Sequence, residues 1–323
     1  MKPMVAVTNI FPQIALDKLA SKCDLKTNKL GISPTKVELG QMVKESDAII
    51  TYLSDRIDCD IIDQTTQLKV IANYGAGFNN IDVTYASKKG IWVTNTPNVL
   101  HETTADLTWA MILGVARRIV PADHYTRGGK FKGWRSEMFL GGDVHGKTLG
   151  IIGCGEIGKS VAKRAMGFQM RVLYYQRNRL PDEEEKFLNA EFTSLNQLLR
   201  ESDFITLHVP LTDETEYMIG NDEFALMKKT AYLIHTARGK VIDDYALVAA
   251  LKEGRLAGAA LDVYESEPEL TEGMVDLENL LLLPHIGSAS FETRDRMALL
   301  VADNILDVLS GKTPRSLVPG YLK

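Results

Sequence analysis

Cysteine is scarce. The 323-residue chain has three, Cys23, Cys59 and Cys154, far apart and with no Cys-x-x-Cys pair. An odd, scattered set excludes a disulfide framework and a structural zinc site, and it fits a reducing cytoplasm. Long apolar runs are missing too: none reaches the roughly 18 residues that a membrane span requires. The first ten residues hold a short apolar alternation without the apolar core of a signal peptide, so the expected location is cytoplasmic. Basic charge is not in excess, with 37 Lys and Arg against 42 Asp and Glu, a net −5. Such a balance argues against a nucleic-acid or anionic-membrane surface. His101, His124, His145, His208 and His235 lack metal-ligand spacing, and no metal is expected; His124 and His145 read as surface groups. There are no internal repeats and no low-complexity stretches.

What is present is ordinary globular composition, 45% apolar and 24% charged, with room for about two domains on a scale of roughly 100–200 residues each. Short apolar segments alternate with helical patterns. "MVAVTN" (4–9), "AIITYL" (48–53), "LKVIANY" (68–74) and "GIWVTN" (90–95) read as strands. Strands interleaved with helices imply a parallel sheet with crossovers. After Pro97 a long helical pattern runs through "TADLTWAMILGVAR", with Thr103 or Thr104 as its expected cap and Leu107, Met111, Gly114 and Val115 on one face. It is read as the bridge into a second domain. There, strands follow at "TLGII", "VLYY", "DFITLHVP" (203–210), "AYLIHTARG" (231–239), "LAGAALDVYE" (256–265) and "NLLLLPHIG" (279–287). "SLNQLLRES" and "DDYALVAALKEG" read as helices, the latter closing on Gly254, and the last helix ends near Gly311.

Gly153-Cys-Gly155-Glu156-Ile157-Gly158 follows the strand "TLGII" and opens the helical run "KSVAKRAM". A lone G-x-G-x-x-G is weak, but strand before and helix after are the context in which it binds a dinucleotide. Gly153 permits the tight turn, Gly155 the approach of a pyrophosphate, and Gly158 close helix–strand packing. The helix start, with Glu156 and Ile157, supplies N–H groups and positive dipole. Cys154 reads as a small packing residue. At the end of the next strand an acidic residue would grip an adenosine ribose; here "YYQRNR" places Gln176, Arg177, Asn178 and Arg179. Gln176 removes repulsion toward a 2′-phosphate, and Arg177 and Arg179 offer guanidinium charge. NADPH is therefore the expected cofactor, with NADH possible. The competing reading makes the two arginines solvated charges beside "DEEE" (182–185).

Three ionisable residues follow successive strands: Arg238 after "YLIHTA", Glu267 after "AALDVY" and His285 after "LLLLP". Open α/β sheets bind ligands outside the carboxyl ends of their strands, so the three should gather at a nicotinamide. The set suits 2-keto acid reduction. Arg238 can hold carboxylate and keto oxygens in its planar fork, and His285 can give a proton as hydride arrives. Glu267 can orient His285 and stabilise its protonated form.

The order "GCGEIG", "TARG", "DVYESEP", "LPHIGSAS", with "NYGAGFNNID" (73–82) and "TADLTWAMILGVAR" (104–117), resembles the D-isomer-specific 2-hydroxyacid dehydrogenase family over essentially the whole chain, most of all its glyoxylate/hydroxypyruvate reductases. The resemblance implies an α/β fold of two Rossmann-like, doubly wound parallel-sheet domains separated by a cleft. The substrate domain would comprise residues 1–98 and 289–323, with the C-terminal helix and tail returning to it, and the dinucleotide domain residues 99–288. It gives Arg238, Glu267 and His285 the roles above. Backbone N–H groups of Ala76 and Gly77 would take the substrate carboxylate, with Leu53 over the substrate. Thr104, His208, Val209, Pro210, Thr215, Thr236, Ala237 and Gly287 would line the cofactor, and Asp262 would meet the nicotinamide carboxamide. A homodimer is implied, built around the long helix and "GKFKGWRSEMFLGG", with Trp134 in interface or core.

One departure concerns that segment. Glyoxylate reductases of this type often bring a Trp from the partner subunit to the substrate, and the corresponding residue here is Met138. A flexible Met makes a more adaptable wall, which favours a bulkier 2-keto acid such as hydroxypyruvate or a 2-keto sugar acid over glyoxylate. The rival reading on the same fold is a dinucleotide-sensing corepressor. It lacks a basic patch or a recruiting tail, and Glu267 in place of Gln counts against a formate dehydrogenase.

Overall fold

The computed structural model describes residues 2–28 and 31–321. The chain divides into two compact units, residues 1–100 with 288–323, and residues 101–287.

In the first unit the strands β1 (Met4–Val7), β2 (Asp24–Thr27), β3 (Ala48–Thr51), β4 (Val70–Asn73) and β5 (Trp92–Thr94) form one sheet in the order β2-β1-β3-β4-β5. Every pair is parallel. Parallel strands are buried on both faces, so β3 and β4 are apolar almost throughout and wholly buried. Alternate residues feed two cores. Val5, Val7 and Ile50 pack with Leu19 and with Met297, Val301 and Ile305 of the C-terminal helix Phe291–Leu309. Ala6, Ile49, Ile71 and Val93 pack on the other face with Leu39, Val43 and Ile61. The C-terminal tail is tied to this unit by a bridge from Leu317 to Thr94 and by the Ser316 hydroxyl, which donates to Asn95 O at 2.7 Å.

The second unit contains β6 (Thr148–Ile152), β7 (Arg171–Tyr175), β8 (Ala190–Phe192), β9 (Phe204–Leu207), β10 (Tyr232–His235), β11 (Gly258–Leu261) and β12 (Leu280–Leu282). They form one sheet, β12-β11-β10-β9-β6-β7-β8, again all parallel. The order reverses between β9 and β6, the switch point of a doubly wound sheet. Helix His101–Ala116 covers one face through Trp109, Met111 and Ile112. The Trp109 indole N–H donates to Val161 O at 3.1 Å, and its ring stacks on Phe168.

One expectation is corrected here. The helix begins at His101, so Thr103 and Thr104 lie inside its first turn rather than at its N-cap position. The edge strands β2 and β8 have no counterpart in the sequence reading: both are short and partly exposed, so neither shows the continuous apolar run of a central strand. Trp134, expected in interface or core, is 83% exposed on the chain and so lies outside the core. His124 and His145 are exposed as expected. Among the described residues no helix is long and apolar enough to cross a membrane, and no group of three or more His, Cys, Asp and Glu could hold a metal ion.

Candidate active site

Because all strands of the second sheet run parallel, the loops after β6, β7, β9, β10, β11 and β12 leave from one edge. The Gly-rich turn follows β6. Gly153 has φ +92, and a Cβ on it would come within 2.8 Å of the His208–Val209 backbone. A Cβ on Gly158 would lie 2.3 Å from Gly153 O, so helix and turn touch there. Gly155 is different, since a Cβ there would meet nothing within 4 Å. It is the N-cap of helix Glu156–Ala165 and offers no side-chain cap. A bare helix N-terminus beside open space is what the pyrophosphate of a dinucleotide requires. The residues fit that group. Cys154 is buried, and burial pushes its thiol up to about 12, so it packs and does not react.

The loop after β7 is held from below. Gln176 Oε1 accepts the Cys154 N–H at 3.0 Å, and its amide donates to Asn178 O at 2.7 Å. Arg177 is exposed, and its charge contributes to holding Glu214, in the loop after β9, below the ordinary carboxylate range, behind the hydroxyl of Thr212. Arg179 is not free. Its Nε and Nη2 donate to the two oxygens of Glu185 at 2.9 and 2.7 Å, and the Tyr174 hydroxyl donates to the same carboxylate. These bonds hold Glu185 down to about 2. The expectation of two arginines open to a 2′-phosphate is thus corrected for Arg179, whose planar fork is filled by a carboxylate of the "DEEE" run.

Beyond β9, Val209 packs on Gly153, and the Thr215 hydroxyl donates to Pro210 O at 2.6 Å, closing the loop. Thr236 Oγ1 lies 3.3 Å from His208 Nδ1 and 3.4 Å from Thr108 Oγ1, and the Thr108 hydroxyl donates to the carbonyl of buried Thr104. His208 Nε2 is buried without a partner among the described residues. Burial, then the neighbouring His235, pushes the His208 imidazole down to about 3, so it is neutral.

Arg238, Glu267 and His285 follow β10, β11 and β12. Arg238 Nη1 donates to Ala237 O at 2.6 Å. Burial draws the guanidinium down, and Glu267 opposes this. The adjacent Gly239 is obligatory, because a Cβ would lie 1.8 Å from Tyr264 O. That approach packs the Arg238 loop against the Glu267 loop. Glu267 Oε1 accepts the Tyr264 N–H at 3.0 Å, and Oε2 lies 2.8 Å from His285 Nδ1. Burial pushes Glu267 up; the His285 contact, the Tyr264 N–H and the Arg238 charge outweigh it, so the carboxyl stays below its usual range and ionised.

His285 sits in the left-handed region at φ +56, a conformation costly for a non-glycine residue. Its surroundings impose it. Asp262, 1% exposed, accepts Ile286 N–H at 2.7 Å and Gly287 N–H at 2.8 Å on its two oxygens. The Tyr264 hydroxyl donates to Leu283 O at 2.6 Å. With Nδ1 on Glu267, Nε2 is the ring atom left for a reactant. Two contributors escaped the sequence reading. His235, considered there only as a metal ligand, holds Arg238 O through Nε2 at 2.8 Å, and burial pushes it down to about 4. Tyr264 bridges the Glu267 and His285 loops.

In the first unit the loop after β4 carries Ala76 and Gly77, both half-buried. Leu53 rests on this loop; a Cβ on Gly75 would lie 3.0 Å from its Cδ2. Met138 is half-buried in the turn that begins at Arg135.

Residues 109–287 match the model of the D-isomer specific 2-hydroxyacid dehydrogenase, NAD binding domain. The glyoxylate reductase of Thermococcus kodakarensis is 49% identical over 322 residues, which cover 98% of this chain and 96% of that protein. The glyoxylate reductase of Pyrococcus horikoshii is also 49% identical over 322 residues, with the same coverage. Among solved structures, a Thermus thermophilus protein superposes with a TM-score of 0.92 at 43% identity, covering 98% of this chain and 99% of that one. The NADPH-dependent glyoxylate/hydroxypyruvate reductase of Sinorhizobium meliloti, in complex with NADP and malonate, has a TM-score of 0.87 at 28% identity over 99% of this chain and 98% of that one. The fold, the dinucleotide turn and this similarity agree: the chain belongs to the D-isomer-specific 2-hydroxyacid dehydrogenases and is an NAD(P)-dependent oxidoreductase.

Proposed function

We propose that the protein reduces small 2-keto acids to D-2-hydroxy acids and prefers NADPH to NADH. The observation that carries this reading is the Glu267–His285 pair, which engages Nδ1 at 2.8 Å and leaves Nε2 for the substrate. The bound nicotinamide supplies the hydride. Arg238 holds the carboxylate and keto oxygen of the substrate, and its charge favours the negative charge that develops on that oxygen. His285 Nε2–H gives the proton to the same oxygen. Glu267 retains the Nδ1–H and balances the imidazolium, so the ring keeps one orientation through the step. Asp262 fixes the loop behind His285 while facing the nicotinamide side of the site.

Gly153, Gly155, Glu156, Ile157 and Gly158 would hold the pyrophosphate. Gln176, Arg177 and Asn178 would meet the ribose, with Arg177 carrying the 2′-phosphate because Arg179 is engaged by Glu185. Thr104, His208, Val209, Pro210, Thr215, Thr236, Ala237 and Gly287 complete the cofactor lining. Ala76 and Gly77 N–H groups would take the substrate carboxylate beside Leu53. Glyoxylate and hydroxypyruvate are the substrates in the names of the relatives. Met138 in place of a Trp favours the larger of them.

A homodimer forms part of this reading. Ile119, Val120, Phe131, Trp134 and Leu140 are all exposed within one segment, apolar surface that a second copy would cover. The corepressor alternative draws no support from the relatives above. Initial rates over a panel of 2-keto acids with NADPH and NADH, with the configuration of the glycerate formed from hydroxypyruvate, test the proposal. D-glycerate made faster with NADPH is expected; L-glycerate, or a clear NADH preference, would refute it.

A further inference from the structure

The loop Gly75–Phe78 is gripped by all three of its inner carbonyls. Thr96 N–H donates to Gly75 O at 3.0 Å, Asn95 Nδ2 to Ala76 O at 2.7 Å, and Asn73 Nδ2 to Gly77 O at 2.6 Å. In a planar trans peptide the N–H of the next residue points opposite to the carbonyl. Pinning these three oxygens inward therefore turns the N–H groups of Ala76, Gly77 and Phe78 outward together. None of the three donates to an acceptor among the described residues. Successive N–H groups converging in this way make an anion-binding concavity.

The two amides are themselves fixed. Asn73 and Asn95 are buried, at 0% and 5% exposure. Asn73 Oδ1 accepts the Thr51 hydroxyl at 3.2 Å and Asn80 Nδ2 at 3.3 Å, so its Nδ2 must face Gly77 O. The Asn95 backbone carbonyl is held by Ser316, whose hydroxyl in turn accepts Asn304 Nδ2 at 2.7 Å. The C-terminal helix thus supports the loop through a chain of side chains within one unit.

We infer that Asn73 and Asn95 are positioning residues that aim the N–H groups of Ala76, Gly77 and Phe78 at the carboxylate of the substrate, with Phe78 a third donor. This rests on the 2-keto acid reductase reading. Neither amide touches the carboxylate; each acts through a carbonyl. Losing one grip lets a peptide plane rotate and misaligns a charge-assisted hydrogen bond, a loss on the order of tenfold.

The test compares glyoxylate with its uncharged methyl ester in the full-length protein. Asn73→Ala and Asn95→Ala should each lower kcat/KM for glyoxylate about tenfold, mainly through KM, while methyl glyoxylate changes by less than about twofold. Asn95→Leu, which fills the same volume without the donor, should behave as Asn95→Ala. Competition by oxalate should weaken in parallel, with the KM for NADPH unchanged. Equal losses on acid and ester, or no loss on the acid, would overturn the positioning role while leaving the reductase reading intact. A wild-type protein that reduces no 2-keto acid would instead remove that reading, and the anion nest with it.

Discussion

Arg177→Ala and Arg179→Ala should have different consequences, although the two residues are two positions apart in the same loop. Arg177 is exposed, while Arg179 makes a two-pronged ion pair with Glu185, whose side chain is 10% exposed. A charged hydrogen bond to a 2′-phosphate is worth about 1.5–3 kcal/mol, roughly tenfold to a hundredfold in binding. Salt screens an exposed site, so Arg177→Ala should raise the KM for NADPH by about tenfold and leave NADH nearly unchanged. Removing Arg179 strands the Glu185 carboxylate on the Tyr174 hydroxyl. Arg179 is 59% exposed, so solvent screens the pair and its loss is mild. Arg179→Ala should therefore lower the melting temperature only slightly. Its effect on the two cofactors should be equal, because it disturbs the whole loop. Steady-state kinetics with both cofactors and a thermal melt provide the assay. A selective NADPH defect in Arg179→Ala, with Arg177→Ala indistinguishable from wild type, would refute the assignment.

His285→Ala should lower kcat by about 10²–10⁴, the usual worth of a positioned acid, with cofactor binding by fluorescence titration unaltered; a near-normal kcat would end the proton-donor role. Glu267 is held ionised against burial by its contact with His285, the Tyr264 N–H and the Arg238 charge. Glu267→Gln keeps the shape beside Nδ1 without the charge and should lower kcat for reduction by about 10² with cofactor binding unaltered, and an unchanged kcat would show that the carboxylate only packs. Met138→Trp should shift kcat/KM from hydroxypyruvate toward glyoxylate by about 1–3 kcal/mol, the scale of a reshaped pocket; unchanged ratios would remove Met138 from the substrate wall.

The parts of the site that were legible are those set by topology. Arg238, Glu267 and His285 were found because polar residues after strands of a parallel sheet face its ligand edge, and the glycines because strand and helix flank them. Asn73 and Asn95 obey the same rule, ending or following β4 and β5. They escaped because neutral amides do not titrate and their partners are backbone carbonyls. The Arg179–Glu185 pair was suggested only as surface charge beside an acidic run, since its third member, Tyr174, lies back in β7. Strand β2 escaped for another reason. Its residues Asp24–Thr27 alternate exposed and half-buried at a sheet edge, where packing rather than composition makes the strand. The left-handed backbone of His285 is likewise imposed from outside, by Asp262 and Tyr264, and no local pattern announces it.

The most direct test of the account is the oxidation of NADPH by purified wild-type protein on addition of glyoxylate or hydroxypyruvate, repeated with NADH. Turnover with both acids, faster with NADPH and reduced by about 10² or more in His285→Ala, is the expected result. No oxidation of either cofactor with any 2-keto acid would contradict it.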